Sequence, residues 1–266
     1  MRNRGGNPAG PRSNTSRNIG LARALSKLGL CSRSQVAELI RTGRVKLNGK
    51  LRRDPETPVH LGEDRIELDS KSVGGSERIY FVLNKPRGVV TTASDEQNRE
   101  TVYAFLPANF PWVAPVGRLD MASEGLLLLT NDSEWAARIS APETHLDKMY
   151  HVQIGAIADD TLLDTLRKGI RSPEDGYVLR AKCASLLRRG ERNSWIEIVL
   201  DEGKNRHIRR MLEHFQIEVL RLIRVAIGPL TLGDLAKGKL RALQEEEKQA
   251  LDRAMRMATR EPAPSR

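Results

Sequence analysis

The stretch Val116-Gly117-Arg118-Leu119-Asp120-Met121-Ala122-Ser123-Glu124-Gly125-Leu126-Leu127-Leu128-Leu129-Thr130-Asn131-Asp132 decides how the rest of the chain is read. Residues 126–129 are an uninterrupted apolar run too short for a helix, opened by Gly125 and closed by Thr130-Asn131-Asp132. A short apolar run between turn signals is a buried strand. Asp132 or Ser133 can then cap a helix over residues 134–139. Asp120 therefore lies in a loop just before a central strand, two residues from Arg118. A carboxylate on a loop held by a rigid strand is well placed for chemistry. An Asp in such a place is more often a turn residue that bonds its own backbone, so other segments must decide its role.

Composition narrows the classes. The 266 residues carry 44 Lys and Arg against 34 Asp and Glu, a formal charge of +10, and 39% hydrophobic residues. The chain can build a real core, and its charge points to a polyanion, nucleic acid before an anionic membrane surface. No apolar run approaches the roughly 20 residues that span a bilayer, and Met1 is followed by a polar stretch without a secretory apolar segment. The cytoplasm is the expected compartment. Cys31 and Cys183 have no CxxC spacing, and the five histidines form neither HExxH nor a Cys/His ligand set, so no metal is expected. No GxGxxG or GxxxxGK[ST] occurs, which argues against a nucleotide cofactor.

Residues 1–17 are rich in Arg, Asn, Gly, Pro and Ser and lack acids, the composition of a disordered basic tail. Residues 18–69 form a small module. Leu21, Ala22, Leu25 and Leu28 recur at helical spacing and Gly29 stops that helix. Ser32 or Ser34 starts a second helix through Val36, Ala37, Leu39 and Ile40, ended by Gly43. Val45-Lys46-Leu47 is a strand, Asn48-Gly49 a hairpin turn, and residues 65–68 a further strand. Residues 70–77 read as a flexible linker. Residues 78–259 form the second domain, and residues 260–266 are a mobile C-terminal tail.

In the second domain, strands are predicted over residues 79–83 and 89–92, a short helix over 101–106, and a strand over 148–154. A helix follows over 161–168, closed by Gly169, and then a strand over 195–200. Ile208, Met211, Leu212 and Phe215 mark one face of the next helix. Its first residues include Lys204, Arg206, Arg209 and Arg210, and cations there oppose the helix dipole. A bound anion or a partner carboxylate explains their presence better than local stability does. A strand over 219–224 and a charged helix over 245–259 complete the pattern.

Two resemblances attach to these residues. Leu25-x-x-x-Gly29, Ser32-Arg33, Ala37-x-Leu39-Ile40 and Gly43-x-Val45-x-Leu47-Asn48-Gly49 resemble the small αL RNA-binding motif, with Leu47 where Val is more usual. That resemblance implies RNA docking by shape and phosphate contacts, for which Arg23, Lys27, Arg33, Arg41, Arg44 and Lys46 are the candidate cations. Asn84-Lys85-Pro86-Arg87-Gly88, the opening stretch, Lys148-Met149-Tyr150, Glu202-Gly203-Lys204-Asn205-Arg206-His207-Ile208-Arg209-Arg210-Met211 and Leu222-Ile223-Arg224-x-x-Ile227-Gly228 occur in that order. Together they resemble the bacterial rRNA pseudouridine synthases of the RsuA-like type. The implied architecture is α+β, an αL module followed by a mixed-sheet catalytic domain.

The implied reaction isomerises one uridine in ribosomal RNA to pseudouridine without redox change, so no cofactor is expected. By the same resemblance Asp120 is the essential carboxylate, which either attacks the sugar or removes a ribose proton. Arg209 pairs with it, Tyr150 stacks on the uracil, Leu222 walls the pocket, and Arg118 helps extrude the target nucleotide. Lys85, Arg87, Arg99 and Arg206 complete the expected substrate-binding set. His207 stands where the family often has Gln or Glu, and Ser133 where Gly is common. The expected partner is ribosomal RNA or a pre-ribosomal particle, with no membrane, and the expected state is a monomer. The competing readings are a non-catalytic rRNA-binding or ribosome-assembly protein and another RNA-modifying enzyme such as a methyltransferase. A carboxylate inside a cationic groove disfavours the first, and the missing nucleotide loop the second.

Overall fold

The computed structural model describes residues 18–92, 95 and 97–258. The expected basic tail, the C-terminal tail and Ser94 in the polar loop lie outside the described residues. The chain divides into two compact units, with the boundary between Ser76 and Glu77.

The first unit contains β1 (Ile19–Gly20), α1 (Leu21–Lys27), α2 (Arg33–Arg41), β2 (Val45–Leu47), β3 (Lys50–Arg52), β4 (Pro58–Val59), β5 (Ile66–Leu68) and β6 (Lys71–Ser72). Ser32 caps α2 through a reciprocal capping box with Gln35, which satisfies two backbone donors that the helix leaves open. Leu21, Leu25, Val36, Ile40, Val45 and Val59 are all at 0% exposure in one cluster. Asn48 (φ 52°) and Gly49 (φ 75°) turn β2 into β3, the backbone a two-residue hairpin loop requires. Within the linker expected over residues 70–77, Lys71–Ser72 form a short strand, while residues 73–77 have no regular secondary structure. Asp69 (φ 49°) and Ser70 (φ 66°) make a second tight turn, and β6 pairs with β5. Ser76 then donates its hydroxyl to the Leu28 carbonyl at 2.8 Å. The polar, Gly-containing composition of this segment concealed a hairpin whose stability comes from pairing with β5.

The second unit contains β7 (Tyr80–Lys85), β8 (Ala114–Val116), β9 (Glu124–Thr130), α3 (Ser133–Ser140), β10 (Lys148–Ile154), α4 (Asp160–Lys168), β11 (Ile170–Arg171), β12 (Val178–Leu179), β13 (Cys183–Arg189), β14 (Ser194–Leu200), α5 (His207–Glu213), β15 (Val219–Ile227), β16 (Leu230–Thr231), β17 (Leu240–Ala242) and α6 (Glu245–Ala258). Among the described residues the main sheet has the order β13-β14-β10-β15-β9-β7-β17, with β8 also on β9 and β16 also on β15. The β15–β9 pair is parallel, whereas β10 is antiparallel to both β14 and β15, so the sheet is mixed.

β9 is its centre. Leu126 and Leu128 pack with Val82, Val116, Trp135 and Ile139 on one face. Leu127 and Leu129 pack with Leu83, Val102, Val113 and Leu119 on the other. Two covered faces explain why the run does not alternate. Burying the four leucines is worth about 6–12 kcal/mol before entropy is counted. Asp132 caps α3 by accepting from the amides of Glu134 and Trp135. Gly125 has φ +102°, and a Cβ there would lie 2.3 Å from the Arg224 carbonyl oxygen. The close approach of β9 to β15 therefore requires glycine.

Three local readings change. The strand expected over residues 89–92 reduces to a single bridge between Val90 and Thr101, where the Val90 amide donates to the Glu100 carbonyl and the Val90 carbonyl accepts from the Val102 amide. The short helix expected over 101–106 is a 3-10 turn over Val102–Phe105. β13 was not legible, since a register shift between Leu186 and Arg188 breaks its alternation and leaves Leu186 and Leu187 exposed.

Candidate active site

The loop that carries Asp120 is held from several sides. Leu119 is 6% exposed and anchored in the core. Its carbonyl accepts from the Thr91 hydroxyl at 2.7 Å, and the Met121 carbonyl accepts from the Gly88 amide at 2.7 Å. The Ser123 amide donates back to the Asp120 carbonyl at 2.9 Å. Beneath them Lys85, at 0% exposure, donates from Nζ to the carbonyls of Ser123 (2.8 Å), Pro86 (3.0 Å) and Asp120 (3.2 Å). Burial lowers its pKa to about 8, with Asp120 and Glu124 pulling upward and Arg224 downward. Lys85 was expected to touch substrate. It lies in β7 opposite Gly125, and that position turns its ammonium into the tie beneath the loop.

A cleft of about 430 Å³ opens beside this loop. Its lining joins Arg118 and Asp120 from the loop, Lys148 and Tyr150 from β10, Arg206, His207 and Arg209 around the start of α5, and Leu222 and Arg224 from β15. Residues more than 100 positions apart in sequence meet here because β10 and β15 are antiparallel neighbours, with Tyr150 opposite Arg224 and Val152 opposite Leu222. Arg118 and Arg206 are exposed, Tyr150 and Asp120 are half-buried, and Leu222 is buried.

The expected Asp120–Arg209 pairing is looser than a contact ion pair. Arg209 donates from Nη2 to the Ala122 carbonyl at 3.0 Å, so it grips the same loop, while its buried Nε has no partner among the described residues. Burial pushes the guanidinium below its ordinary value, and Asp120 acts on it through space in the opposite direction. Arg210 belongs to the scaffold. It pairs with Glu174 (3.1 Å) and Asp175 (2.7 Å) and so fixes α5 to the segment between β11 and β12. His207 is 3% exposed. Burial lowers its pKa, which keeps the imidazole neutral near pH 7, with Glu202 opposing and Lys204 and Arg210 adding to the shift.

Two further expected contacts lie outside the cleft lining. Arg87 is exposed and donates to the Leu220 carbonyl at 3.2 Å. Arg99 is held by Asp95, with Nη2 at 2.6 Å from Oδ1. A local acid four residues away captured its charge. Sequence reasoning assigned no role to Lys148 or Arg224, which also line the cleft. The visible signal was a cation inside each of two apolar-patterned strands.

In the first unit Arg23, Arg33, Arg41 and Arg44 are exposed and Lys27 and Lys46 half-exposed. Arg41 pairs with Glu38 at 3.8 Å, and Arg44 pairs with Asp69. Both pairs are solvent-exposed, where ion pairs contribute little to stability. Among the described residues no group of three or more His, Cys, Asp or Glu is placed to hold a metal ion. No helix among them is long and apolar enough to cross a membrane.

Residues 79–214 match the family profile described as RNA pseudouridylate synthase, and they contain Asp120, Tyr150 and Arg209. The chain belongs to this family. Residues 19–66 of the synthase match the S4 domain, which is the αL module expected from the frame glycines. A Bacillus subtilis protein named ribosomal large subunit pseudouridine synthase B is 38% identical over 85% of the chain and 93% of its own length. An Aquifex aeolicus RNA pseudouridine synthase is 37% identical, over 87% and 92%. A crystal structure of a pseudouridylate synthase superposes with a TM-score of 0.63 at 28% identity, covering 88% of the synthase and 99% of that chain. The α+β architecture and the enzyme class expected from the sequence are therefore those of the molecule.

Proposed function

We propose that this synthase isomerises a uridine in ribosomal RNA to pseudouridine in the cleft beside Asp120. The observation that carries the reading is a carboxylate on a pinned loop, inside a cation-lined cleft that also holds Tyr150 and Leu222. The name of the Bacillus subtilis relative makes large-subunit RNA the first substrate to assay, and a substrate of that kind puts the enzyme in the cytoplasm.

In this reading Arg118 and Arg206 meet the RNA backbone at the exposed rim, and the S4 module adds binding energy through its own cations. The target nucleotide leaves its stack, and its base is held between Tyr150 and Leu222. Asp120 acts on the ribose as nucleophile or as base. The bond from C1′ to N1 breaks, the base turns, and a bond from C1′ to C5 forms. The hydrogen on C5 is lost and N1 gains one, so the overall change is an isomerisation that needs no oxidant and no cofactor. Arg209 holds the loop and faces the Asp120 charge. The cleft residues all come from one chain, so a monomer suffices.

The test is Asp120→Asn, which keeps side-chain size and removes the charge. Pseudouridine formation should disappear while RNA affinity stays within about tenfold, roughly 1.4 kcal/mol, with native circular dichroism. A folded variant that modifies RNA at the parental rate returns Asp120 to the role of a turn residue.

A further inference from the structure

The cleft lining includes buried positive charge besides the exposed Arg118 and Arg206. Arg224 is 5% exposed, and its Nε donates to the Leu126 carbonyl at 2.8 Å. Its Nη2 is buried with no hydrogen-bond partner among the described residues. The side chain is placed by the close approach of β15 to Gly125. Lys148 lies two residues before Tyr150 on the same strand, half-buried and also in the cleft lining. Burial first, and the charge of Arg224 second, push its ammonium below the usual lysine range, while Asp147 and Asp201 pull upward. Two cations that repel one another are thus held in a partly dry site, one of them with an unmet donor. Buried charge and unmet donors each cost stability in the folded protein, and an anion in the cleft would meet both.

An RNA phosphate fits this pair poorly. Arg118 and Arg206 are exposed where the backbone can reach them, whereas Arg224 is the cross-strand neighbour of Tyr150. A base stacked on Tyr150 would share the cleft that Arg224 also lines. Neutral uracil offers only carbonyl acceptors at O2 and O4. When the C1′–N1 bond breaks, its electron pair leaves with the base, and the resulting anion spreads its charge over N1, O2 and O4.

We infer that Arg224 and Lys148 stabilise the detached uracil as an anion while it turns within the cleft. This rests on the reading of Asp120 and Tyr150 given above. Asp120 balances the sugar side, by bonding to C1′ or by taking a ribose proton, and the electron pair released to N1 meets the two cations. Attack of C5 on C1′ then expels the Asp120 carboxylate, or is matched by return of the ribose proton that Asp120 took. The base becomes neutral as the C5 proton is lost and one is gained at N1. Fixed donors aimed at charge that exists only during the reaction raise the rate without tightening ground-state binding.

The experiment uses the full chain with one target RNA made twice, with uridine or with 5-fluorouridine at the modified position. Fluorine withdraws electrons and makes the departing anion less demanding. Single-turnover rates of C1′–N1 cleavage and RNA dissociation constants are measured for the parent, Arg224→Gln, Arg224→Lys and Lys148→Gln. The expected result is a rate loss of at least 100-fold for Arg224→Gln on uridine, with RNA affinity within threefold. The loss should be at least tenfold smaller on the fluorinated RNA, and Arg224→Lys should restore part of the rate. Equal losses on the two RNAs, or a loss carried by affinity, overturn the inference. If Arg224→Gln fails to fold, Lys148→Gln decides, and a folded Lys148→Gln with the parental rate overturns the pair. An inactive Asp120→Asn beside fully active Arg224→Gln and Lys148→Gln variants sinks this inference alone and leaves the proposed reaction standing.

Discussion

Lys85→Met separates the stability of the fold from the precision of the site. The substitution is nearly isosteric and removes the ammonium from under the Asp120 loop. The Asp120 carbonyl keeps the Ser123 amide at 2.9 Å, whereas the Ser123 and Pro86 carbonyls lose Nζ at 2.8 and 3.0 Å. Leaving two such groups unmet costs about 1–3 kcal/mol each, about 2–6 in all. Against this, the folded protein holds Lys85 at a pKa of about 8 rather than the ordinary 10.5, a burial cost of about 3 kcal/mol at neutral pH. The net loss of stability at pH 7 should therefore be no more than about 3 kcal/mol. The folded variant should still turn over about 100-fold more slowly, because displacing a reacting group by about 1 Å can cost that much. The sign of the pH dependence is fixed by linkage. Between pH 8 and 10.5 the unfolded lysine keeps its proton while the folded one has released it. Parental stability should then rise relative to Lys85→Met by about 3 kcal/mol across that window. Urea unfolding of both proteins at several pH values measures this difference, and single-turnover assays measure the rate. A flat difference between pH 7 and 10, or a variant with the parental rate, refutes the reasoning.

Glu124 is 2% exposed and held by Arg221 at 3.1 Å and Lys237 at 2.5 Å. Burial raises its pKa, but these two partners outweigh it and hold it below the ordinary value. Glu124→Gln should cost about 1–3 kcal/mol at pH 7, and urea titrations should show the deficit vanish as pH falls through the folded Glu124 pKa, because the parent loses that contribution there. Gly125→Ala should cost about 3 kcal/mol or more, since a Cβ would strike the Arg224 backbone at a φ of +102°; near-parental thermal stability would show that β9 and β15 separate freely. Removing residues 1–76 should raise KM for ribosomal RNA and leave turnover at saturating RNA. A truncated protein that folds and binds normally yet is inactive would place the S4 module in the chemistry.

Local physics made much of this protein legible in its sequence. The spacing of Leu21, Leu25, Val36 and Ile40, the Ser32 cap, the Asn48-Gly49 turn and the leucine run of β9 each follow from contacts within a few residues. The position of Asp120 before a central strand follows equally, because turn chemistry and apolar runs specify it. The roles of the cations were decided only by tertiary structure. Lys85, Arg99, Arg210 and Arg224 are alike as residue types, and their charges look equally available along the chain. Strand pairing put Lys85 opposite Gly125 and beneath the loop. A nearby acid took Arg99, and the segment between β11 and β12 took Arg210. The antiparallel register of β10 and β15 put Arg224 beside Tyr150. A charge acts through the dielectric and the partners around it, and both are set by which distant strands lie together.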